Sequence, residues 1–147
     1  MDVKNIMIGD YYHLICGNKD GSDAIVRVKT VYERGHCSVT GSDMYTEVAP
    51  HTLFPIFLSS KILYNNGFKN RKPELNVHNI EPTFVWALNV DKWRIELEYN
   101  YNDNEDVDFY IININDGQHQ HITKYINNVH ELQHIFRLFN INKEIKL

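Results

Sequence analysis

The stretch 125–141 combines the clearest helical pattern of the chain with its only catalytic-looking motif. Apolar residues recur there at alternating spacings of four and three, at Tyr125, Val129, Leu132, Phe136 and Phe139. On a helix these positions form one stripe, and an apolar stripe must be covered by another part of the protein. The pattern therefore predicts a helix over 128–140 and requires a packing partner for it elsewhere in the chain.

That partner is predicted to be an antiparallel sheet. From 92 to 101, every odd position is aromatic or aliphatic and every even position is polar, which is typical of a strand with one wet face. The apolar face consists of Trp93, Ile95, Leu97 and Tyr99. Further strands are expected at 83–88, 107–114 and 118–123. Asn115-Asp116-Gly117 predicts a tight hairpin turn, and the acidic run 102–106 predicts a loop, so we expect three or four strands covered by the helix.

The region 6–48 predicts a β-meander. Its short apolar runs are separated by turn residues at Gly9-Asp10, at 17–21 and at Arg34-Gly35-His36. Runs of this length, spaced by roughly ten residues, favour a small, strongly curved barrel of the SH3-like kind over a sandwich, which needs more strands. Small barrels of this type more often bind than catalyse, by analogy at the level of the fold.

A short bridging helix is predicted between the two β regions. Ser59 or Ser60 stands where an N-cap residue would stand, and Gly67 occupies the C′ position after the helix. Phe68 is expected to fold back onto Leu63 or its neighbour, as the apolar residue after such a helix end usually does. The polar segment 69–81 that follows is expected to be a connector.

These elements predict an α+β protein: an N-terminal SH3-like small β-barrel, a bridging helix, and a C-terminal antiparallel sheet packed by one helix. The predicted boundaries are 1–55 for the barrel, 56–82 for the helix and connector, and 83–147 for the sheet and its helix. The two halves either share one core or form separate domains.

Charge and hydropathy restrict the partners and the compartment. A net charge of −4 and a pI near 6.0 give no overall attraction to nucleic acid or anionic lipid. The run Lys69-Asn70-Arg71-Lys72 is the best local basic patch, and a solvated loop is its preferred interpretation. The sequence has neither an apolar N-terminal run nor about 18 consecutive apolar residues, which predicts a soluble cytoplasmic protein with no membrane partner. Cys16 and Cys37 are expected to be buried free thiols.

The motif His130-Glu131-Leu132-Gln133-His134 satisfies H-E-x-x-H. On a helix it places two imidazoles one turn apart as zinc ligands, with Glu131 as the general base for a metal-bound water. A third ligand is also needed, but Arg137 and Asn140 stand where the extended motif has glycine and histidine. His119 and His121 are the candidate upstream ligands, since alternate residues of a strand project from the same face.

A metal-free interpretation explains the same residues. Asn128 is a good N-cap residue, and Glu131 three positions later can accept a hydrogen bond from the Asn128 backbone amide. His130 and His134 then point away from the apolar stripe, toward solvent or toward an interaction surface shared with two further residues, Leu138 and Ile141. Because short motifs match by chance, we prefer this interpretation, with no cofactor and no catalytic residue; zinc bound by the histidines, with Glu131 as base, is the alternative.

Several segments together resemble a known family. They are Ile8-Gly9-Asp10, Pro55-Ile56, the run 58–63 leading into Asn66-Gly67-Phe68, the alternating Trp/Ile pattern, Val129-His130-Glu131-Leu132-Gln133-His134, Arg137-Leu138 and Lys143-Glu144-Ile145. In this order they resemble a family of small uncharacterised proteins common in gut Bacteroidetes and in their phages and mobile elements. The resemblance covers most of the chain and is most specific at its end. It implies a host range and a mobile-element origin, and no mechanism.

The leading functional hypothesis is a non-catalytic protein-interaction module, phage- or mobile-element-encoded, that binds another protein or itself. It would act in the cytoplasm of a bacterial or phage-infected cell, or as a virion component. The first alternative is a zinc-binding protein or metallohydrolase that uses the H-E-x-x-H motif. The second is a nucleic-acid-binding small barrel contacting its ligand through Lys69, Arg71 and Lys72, with aromatic residues as stacking platforms.

Overall fold

A computed structural model describes residues 6–32, 35–71, 84–102 and 107–147. The protein is α+β, with two antiparallel sheets and two α-helices among these residues. The chain divides into two compact units. The first consists of Met1–Phe57 with Asn128–His134, and the second of Leu58–Asn127 with Ile135–Leu147. No helix in the described part of the chain is long and apolar enough to cross a lipid bilayer.

The first unit contains a five-stranded sheet. Its strands are β1 Tyr11–Leu14, β2 Ala24–Val31, β3 Cys37–Thr40, β4 Glu47–Val48 and β5 Leu53–Pro55. The strand order is β4-β3-β2-β1-β5, so the meander predicted from the turn residues is followed by a strand that returns beside β1. A 3₁₀ helix, Pro50–Thr52, precedes that last strand. Of the expected turn at Arg34-Gly35-His36, Arg34 lies outside the described residues.

Alternation of buried and exposed residues builds the core of this sheet. In β2 the buried positions are Ala24, Val26 and Val28, and the residues between them are exposed. The full core cluster is Ile6, Tyr12, Leu14, Ala24, Val26, Val28, Cys37, Val39, Val48 and Leu53. Because successive side chains of a strand point to opposite faces, the exposed alternate residues lie together on the outer face of the sheet.

The second unit contains another five-stranded antiparallel sheet and a short helix. Its elements are α1 Ser60–Asn65, β6 Lys69–Arg71, β7 Val85–Val90, β8 Trp93–Asn102, β9 Val107–Asn115 and β10 Gln120–Ile126. The strand order is β10-β9-β8-β7-β6. The predicted alternation in β8 is confirmed at Ile95 and Leu97, which are fully buried.

Two predictions for this sheet need correction. The expected connector begins with a strand, since Lys69–Arg71 pairs with β7 and makes the sheet five-stranded instead of three- or four-stranded. A three-residue strand whose side chains are all exposed and polar carries no apolar alternation, so its sequence gave no strand signal. The rest of the expected connector, 72–81, and the acidic residues 103–106 lie outside the described residues.

Helix α1 begins and ends as predicted. The Ser59 side chain accepts a hydrogen bond from the backbone N–H of Ile62, which makes Ser59 the N-cap. Gly67 follows the helix with φ of 79°, and the N–H of Phe68 donates to the carbonyl of Leu63 at 3.1 Å. The N–H of Gly67 also donates to the Tyr64 carbonyl at 2.9 Å, so the helix ends in a Schellman motif, and the apolar side chains of Leu63 and Phe68 are both buried.

Helix α2, Val129–Leu138, ends in the same way with asparagine in place of glycine. Asn140 has φ of 51°, its N–H donates to the Arg137 carbonyl at 3.1 Å, and the N–H of Ile141 donates to the Phe136 carbonyl at 2.8 Å. Asparagine is the residue that most often replaces glycine in this conformation. Tyr125, which helical spacing assigned to this helix, lies instead in β10 and is exposed.

Candidate functional site

The H-E-x-x-H motif begins in the first turn of α2, where Asn128 holds Glu131. The Asn128 backbone N–H donates to Glu131 Oε2 at 3.1 Å, and the Asn128 side-chain amide donates to the same oxygen at 3.2 Å. Asn128 directly precedes the helix, and Glu131 occupies the third helical position. The predicted capping contact of Glu131 is therefore confirmed, and it satisfies a donor that the helix leaves unbonded.

His130 corrects the expectation of solvent-facing imidazoles. It is only 6% exposed, and its ring centroid lies 5.2 Å from that of Tyr12 at an interplanar angle of 31°. Tyr12 is itself fully buried in the first sheet. His130 thus packs within the core of the first unit, because its position next to Val129 in the first turn faces β1 and not the solvent.

His134 pairs with a carboxylate that sequence reasoning did not select. Its Nε2 lies 2.8 Å from Oδ2 of Asp10, which is 0% exposed. The same oxygen accepts from the backbone N–H of Met7 at 2.8 Å and from the Tyr12 hydroxyl at 3.4 Å. A buried carboxylate requires such partners, since burial of an isolated charge is strongly unfavourable. Asp10 follows Gly9, and this sequence context predicts only a turn.

The two histidines of the motif therefore make different contacts. Their ring centroids are 5.7 Å apart and their planes are inclined by 69°. His134 directs Nε2 to Asp10, and His130 packs on Tyr12. Within the described residues, no group of three or more histidine, cysteine, aspartate or glutamate side chains converges as metal ligands. What the arrangement does hold is an aspartate–histidine pair that ties α2 to the start of the first sheet.

His119 and His121, the other candidate ligands, lie in the second unit around Asp116. The Asp116 Oδ1 accepts from the backbone N–H groups of His119 at 2.9 Å and of Gln118 at 3.1 Å. His121 Nε2 lies 3.0 Å from Asp116 Oδ2, while His119 Nδ1 is 3.9 Å from Oδ1. The pKa of Asp116 is held well below its usual range, first by the backbone N–H of His119, then by His121 and by the N–H of Gln118.

The predicted strand geometry of these two histidines is wrong in one respect. His119 precedes β10, which begins at Gln120, and the pairing register shifts between Gln120 and Ile122. The hairpin turn at Asn115-Asp116-Gly117 was predicted correctly, and Gly117 has φ of 88°. Both imidazoles approach the carboxylate of that turn.

The expected surface of His130, His134, Leu138 and Ile141 is not a continuous exposed face. Leu138 is 70% exposed, but Ile141 is 5% exposed because it forms the apolar contact after the helix end. His130 is buried as well. Of these four residues, only Leu138 is therefore largely exposed, and the His134 side chain is partly exposed.

A polar cleft lies at one end of the second sheet, where the β7–β8 turn and the β9–β10 turn are found. It has a volume of about 390 Å³. The residues that shape it are Asn89, Asp91, Lys92, Trp93, Arg94 and Glu96, with Asn115 and Gly117 from the second turn. Arg94 donates through Nε at 2.9 Å and through Nη2 at 2.6 Å to Glu96 Oε1. The sequence predicted a strand at 92–101 and a turn at 115–117 but indicated no site among these residues.

Trp93 is fixed at this end of the sheet by two rings that approach it edge-on. His121 and Phe139 each have a ring centroid 5.2 Å from that of Trp93, at interplanar angles of 79° and 72°. The ammonium nitrogen of Lys92 lies 4.6 Å from the Trp93 ring centroid. His121 therefore links Asp116 to the aromatic group beside the cleft.

The basic patch and the cysteines also differ from expectation. Arg71 Nη1 lies 3.8 Å from Glu96 Oε1, so its charge is partly balanced, and Lys72 lies outside the described residues.

Both cysteines are free, but only Cys37 is buried, whereas Cys16 is exposed. Burial raises the pKa of the Cys37 thiol, which disfavours its reactive thiolate form.

Comparison with known proteins adds no assignment to these sites. The sequence matches no protein-family model, no curated protein and no solved structure.

Proposed function

We propose that this chain is a non-catalytic interaction module that binds another protein, and that its first sheet is an SH3-like barrel. The barrel proposal is supported by the strand order β4-β3-β2-β1-β5, in which β5 returns beside β1 after a 3₁₀ helix. A short meander whose last strand returns beside the first is suited to a small curved barrel. The bulge between Val28 and Thr30 in β2 provides the bend that such curvature needs.

The observation that carries the proposal is a row of side chains across three strands. His13 in β1 is paired in register with Ile25 in β2 on one side and with Phe54 in β5 on the other. Residues paired in this way present their side chains on the same face of the sheet. Phe54 is 45% exposed and Ile25 is 46% exposed. We call Phe54, His13 and Ile25 the outer row.

The surroundings of the outer row indicate the chemistry of the partner. Arg27 and Lys29 follow Ile25 at the exposed alternate positions of β2, and the Arg27 guanidinium lies 5.4 Å from the ring centroid of Tyr11. Apolar groups beside cations suit a protein segment that carries both apolar and acidic side chains. Contiguous exposed apolar groups on a sheet face are typical of protein contact sites.

The contacts of Glu131 support the non-catalytic part of the proposal. A general base must reach a proton of the substrate or of a bound water, and Glu131 Oε2 already accepts two hydrogen bonds from Asn128. On this proposal the protein acts in the cytoplasm of a bacterial or phage-infected cell or as part of a virion, as the resemblance to proteins of Bacteroidetes phages and mobile elements implies.

The proposal is tested by affinity capture with a double variant, Ile25→Ser with Phe54→Ser. The bait is the full chain in a lysate of a gut Bacteroidetes strain, and the control is Tyr64→Ser, which removes a more exposed ring from α1 in the second unit. We expect a protein retained by wild type and by the control, and retained roughly tenfold less by the double variant. A monomeric protein with no such partner would contradict the proposal.

The same purified protein distinguishes the two alternatives. Bound zinc in protein prepared without a histidine tag would support the zinc-binding alternative. Salt-dependent binding to DNA or RNA that decreases when Lys69, Arg71 and Lys72 are replaced together would support the nucleic-acid alternative.

A further inference from the structure

We propose that Asn66-Gly67 is a deamidation site, and that the segment 141–147 controls its reaction. We call this segment the C-terminal strap. Asn66-Gly67 is the only asparagine–glycine pair of the sequence. Such a pair is especially reactive, because glycine has no side chain to shield its backbone nitrogen from the neighbouring asparagine amide. The modification lies in the second unit and is independent of the protein contact proposed for the first sheet.

The side chain of Asn66 holds the strap by its backbone. Asn66 Nδ2 donates to the Lys146 carbonyl at 2.6 Å, and the Lys146 N–H donates to Asn66 Oδ1 at 2.8 Å. Asn66 Nδ2 also donates to the Ile62 carbonyl at 2.8 Å, so one amide joins the strap to the end of α1. Asn66 is 3% exposed, and water therefore does not compete for these bonds while the strap is in place.

Two buried isoleucines anchor the strap, which has no regular secondary structure. Ile141 is 5% exposed and Ile145 is 1% exposed. The residues Asn142, Glu144 and Lys146 are exposed. A short segment without a helix or strand pairing opens at a lower free energy than the strands of a sheet. Opening of the strap is therefore the local motion that frees the Asn66 amide.

The folded end of α1 keeps the reacting atoms apart. Deamidation begins when the Gly67 nitrogen attacks Cγ of Asn66 and closes a five-membered ring. The Gly67 N–H donates to the Tyr64 carbonyl at 2.9 Å, so this nitrogen is engaged in the helix end. The ψ angle of Asn66 is 12°, and ring closure requires a large rotation about its Cα–C bond. Neither the rotation nor the turn of Cγ toward Gly67 is compatible with the bonds from Asn66 to Lys146.

The reaction removes the group that holds the strap. The Gly67 nitrogen forms a bond to Cγ and loses its proton, the Cγ–Nδ2 bond breaks, and Nδ2 leaves as ammonia with that proton. Water then opens the cyclic imide to aspartate or isoaspartate. Both products lack the Nδ2 donor, and the aspartate carboxylate would face the carbonyl oxygens of Ile62 and Lys146, which is unfavourable. Because ammonia is lost, release of the strap is permanent.

The test is peptide mass spectrometry on the full chain after incubation in mildly alkaline buffer. We expect deamidation of Asn66 to be at least roughly tenfold faster in Ile145→Ala than in wild type, because a reaction that needs local opening follows the open population. Lys146→Pro removes the N–H that donates to Asn66 and should also accelerate the reaction. The matched control is Lys146→Ala, which keeps this N–H and should change the rate by less than about twofold.

The variant Val26→Ala separates opening of the strap from a general loss of stability. Val26 is fully buried in the first sheet, so its truncation destabilises the protein without a change in the strap. The thermal unfolding midpoint of each variant is measured alongside the rate. We expect Val26→Ala to deamidate at nearly the wild-type rate even where it lowers the midpoint as much as Ile145→Ala does.

The variant Asn66→Asp reproduces the aspartate product. We expect its Lys146 backbone amide to exchange hydrogen with solvent at least roughly tenfold faster than in wild type, as measured by NMR, because the strap has lost its seat. The matched control is Asn65→Asp. It introduces the same charge at the exposed neighbouring position and should leave this exchange rate unchanged.

Three results would overturn the proposal. The first is deamidation of Asn66 at the wild-type rate in both Ile145→Ala and Lys146→Pro. The second is an acceleration by Val26→Ala as large as that by Ile145→Ala, since global unfolding would then control the reaction. The third is a Lys146 amide that exchanges as slowly in Asn66→Asp as in wild type.

Discussion

Two aspartate–histidine pairs in this protein have nearly the same geometry and very different surroundings. Asp10 and His134 approach to 2.8 Å, and Asp116 and His121 approach to 3.0 Å. Asp10 is fully buried and is separated from His134 by 124 positions in the sequence. Asp116 lies in the hairpin turn just before the strand that carries its partner, and its side chain is 21% exposed. The distance between the charged atoms does not distinguish the two pairs.

The two aspartates differ in the other hydrogen bonds that they accept and in their exposure to water. Asp116 is stabilised first by the backbone N–H groups of its own turn, so His121 is an additional partner. The buried Asp10 accepts hydrogen bonds from the Met7 backbone N–H and, at 3.4 Å, from the Tyr12 hydroxyl, and His134 approaches the same oxygen. Water also replaces a lost partner at the exposed turn and not in the interior. The buried pair should therefore contribute more to the free energy of unfolding than the exposed pair.

The largest expected effect is that of Asp10→Ala. This change removes the buried acceptor from the Met7 N–H, from the Tyr12 hydroxyl and from His134 at once, and we expect a loss of about 3 kcal/mol in the free energy of unfolding. Urea denaturation followed by circular dichroism measures it. Asp10→Asn keeps the shape and one acceptor oxygen, so it should lose less. A loss below about 1 kcal/mol for Asp10→Ala would show that the pair contributes no more than an exposed one.

An intermediate loss of stability is expected for Glu131→Ala. Glu131 lies three positions before His134 in α2. Loss of the capping contact should lower the free energy of unfolding by about 1 kcal/mol, and Glu131→Gln, which can still accept from Asn128, should lose less. Both are measured by urea denaturation with and without added zinc. If zinc stabilised wild type but not the variant in which both His130 and His134 are alanine, the metal-free interpretation of this helix would be wrong.

The smallest effect is expected for Asp116→Ala, and it should depend on pH. Because the pKa of Asp116 in the folded protein lies below its ordinary value of 3.8, its carboxylate stabilises the fold above about pH 4. That contribution is lost as the pH falls below this value. The difference in unfolding midpoint between wild type and Asp116→Ala should therefore shrink from about pH 6 to about pH 3. A difference that grows on acidification would contradict this assignment.

The features that the sequence predicted correctly are local ones. Ser59 and Gly67 delimit α1, Glu131 contacts Asn128 three positions away, and Asn115-Asp116-Gly117 forms the hairpin turn. In each case the chemistry depends on residues within a few positions of one another, so a single sequence contains the whole signal. The apolar alternation of β8 is local in the same sense.

The features that the sequence did not predict depend on distant residues or on patterns that fit two structures. Asp10 has no local property that selects it as the partner of His134. Tyr125 stands at helical spacing from Val129 and Leu132, but it also fits β10, and pairing with β9 decides between the two. The polar cleft is formed by two turns that are brought together only when β7, β8 and β9 pair.

The composition of the first unit has a consequence for how the protein is made. Met1–Phe57 leaves the ribosome early, whereas Asn128–His134, which completes the same unit, is translated only after the strands of the second. The carboxylate of Asp10 is therefore synthesised long before the imidazole that will bind it. A nascent chain that stops before residue 128 contains all five strands of the first sheet and lacks the helical turns that pack on Tyr12, so interrupted translation would release an incomplete first unit.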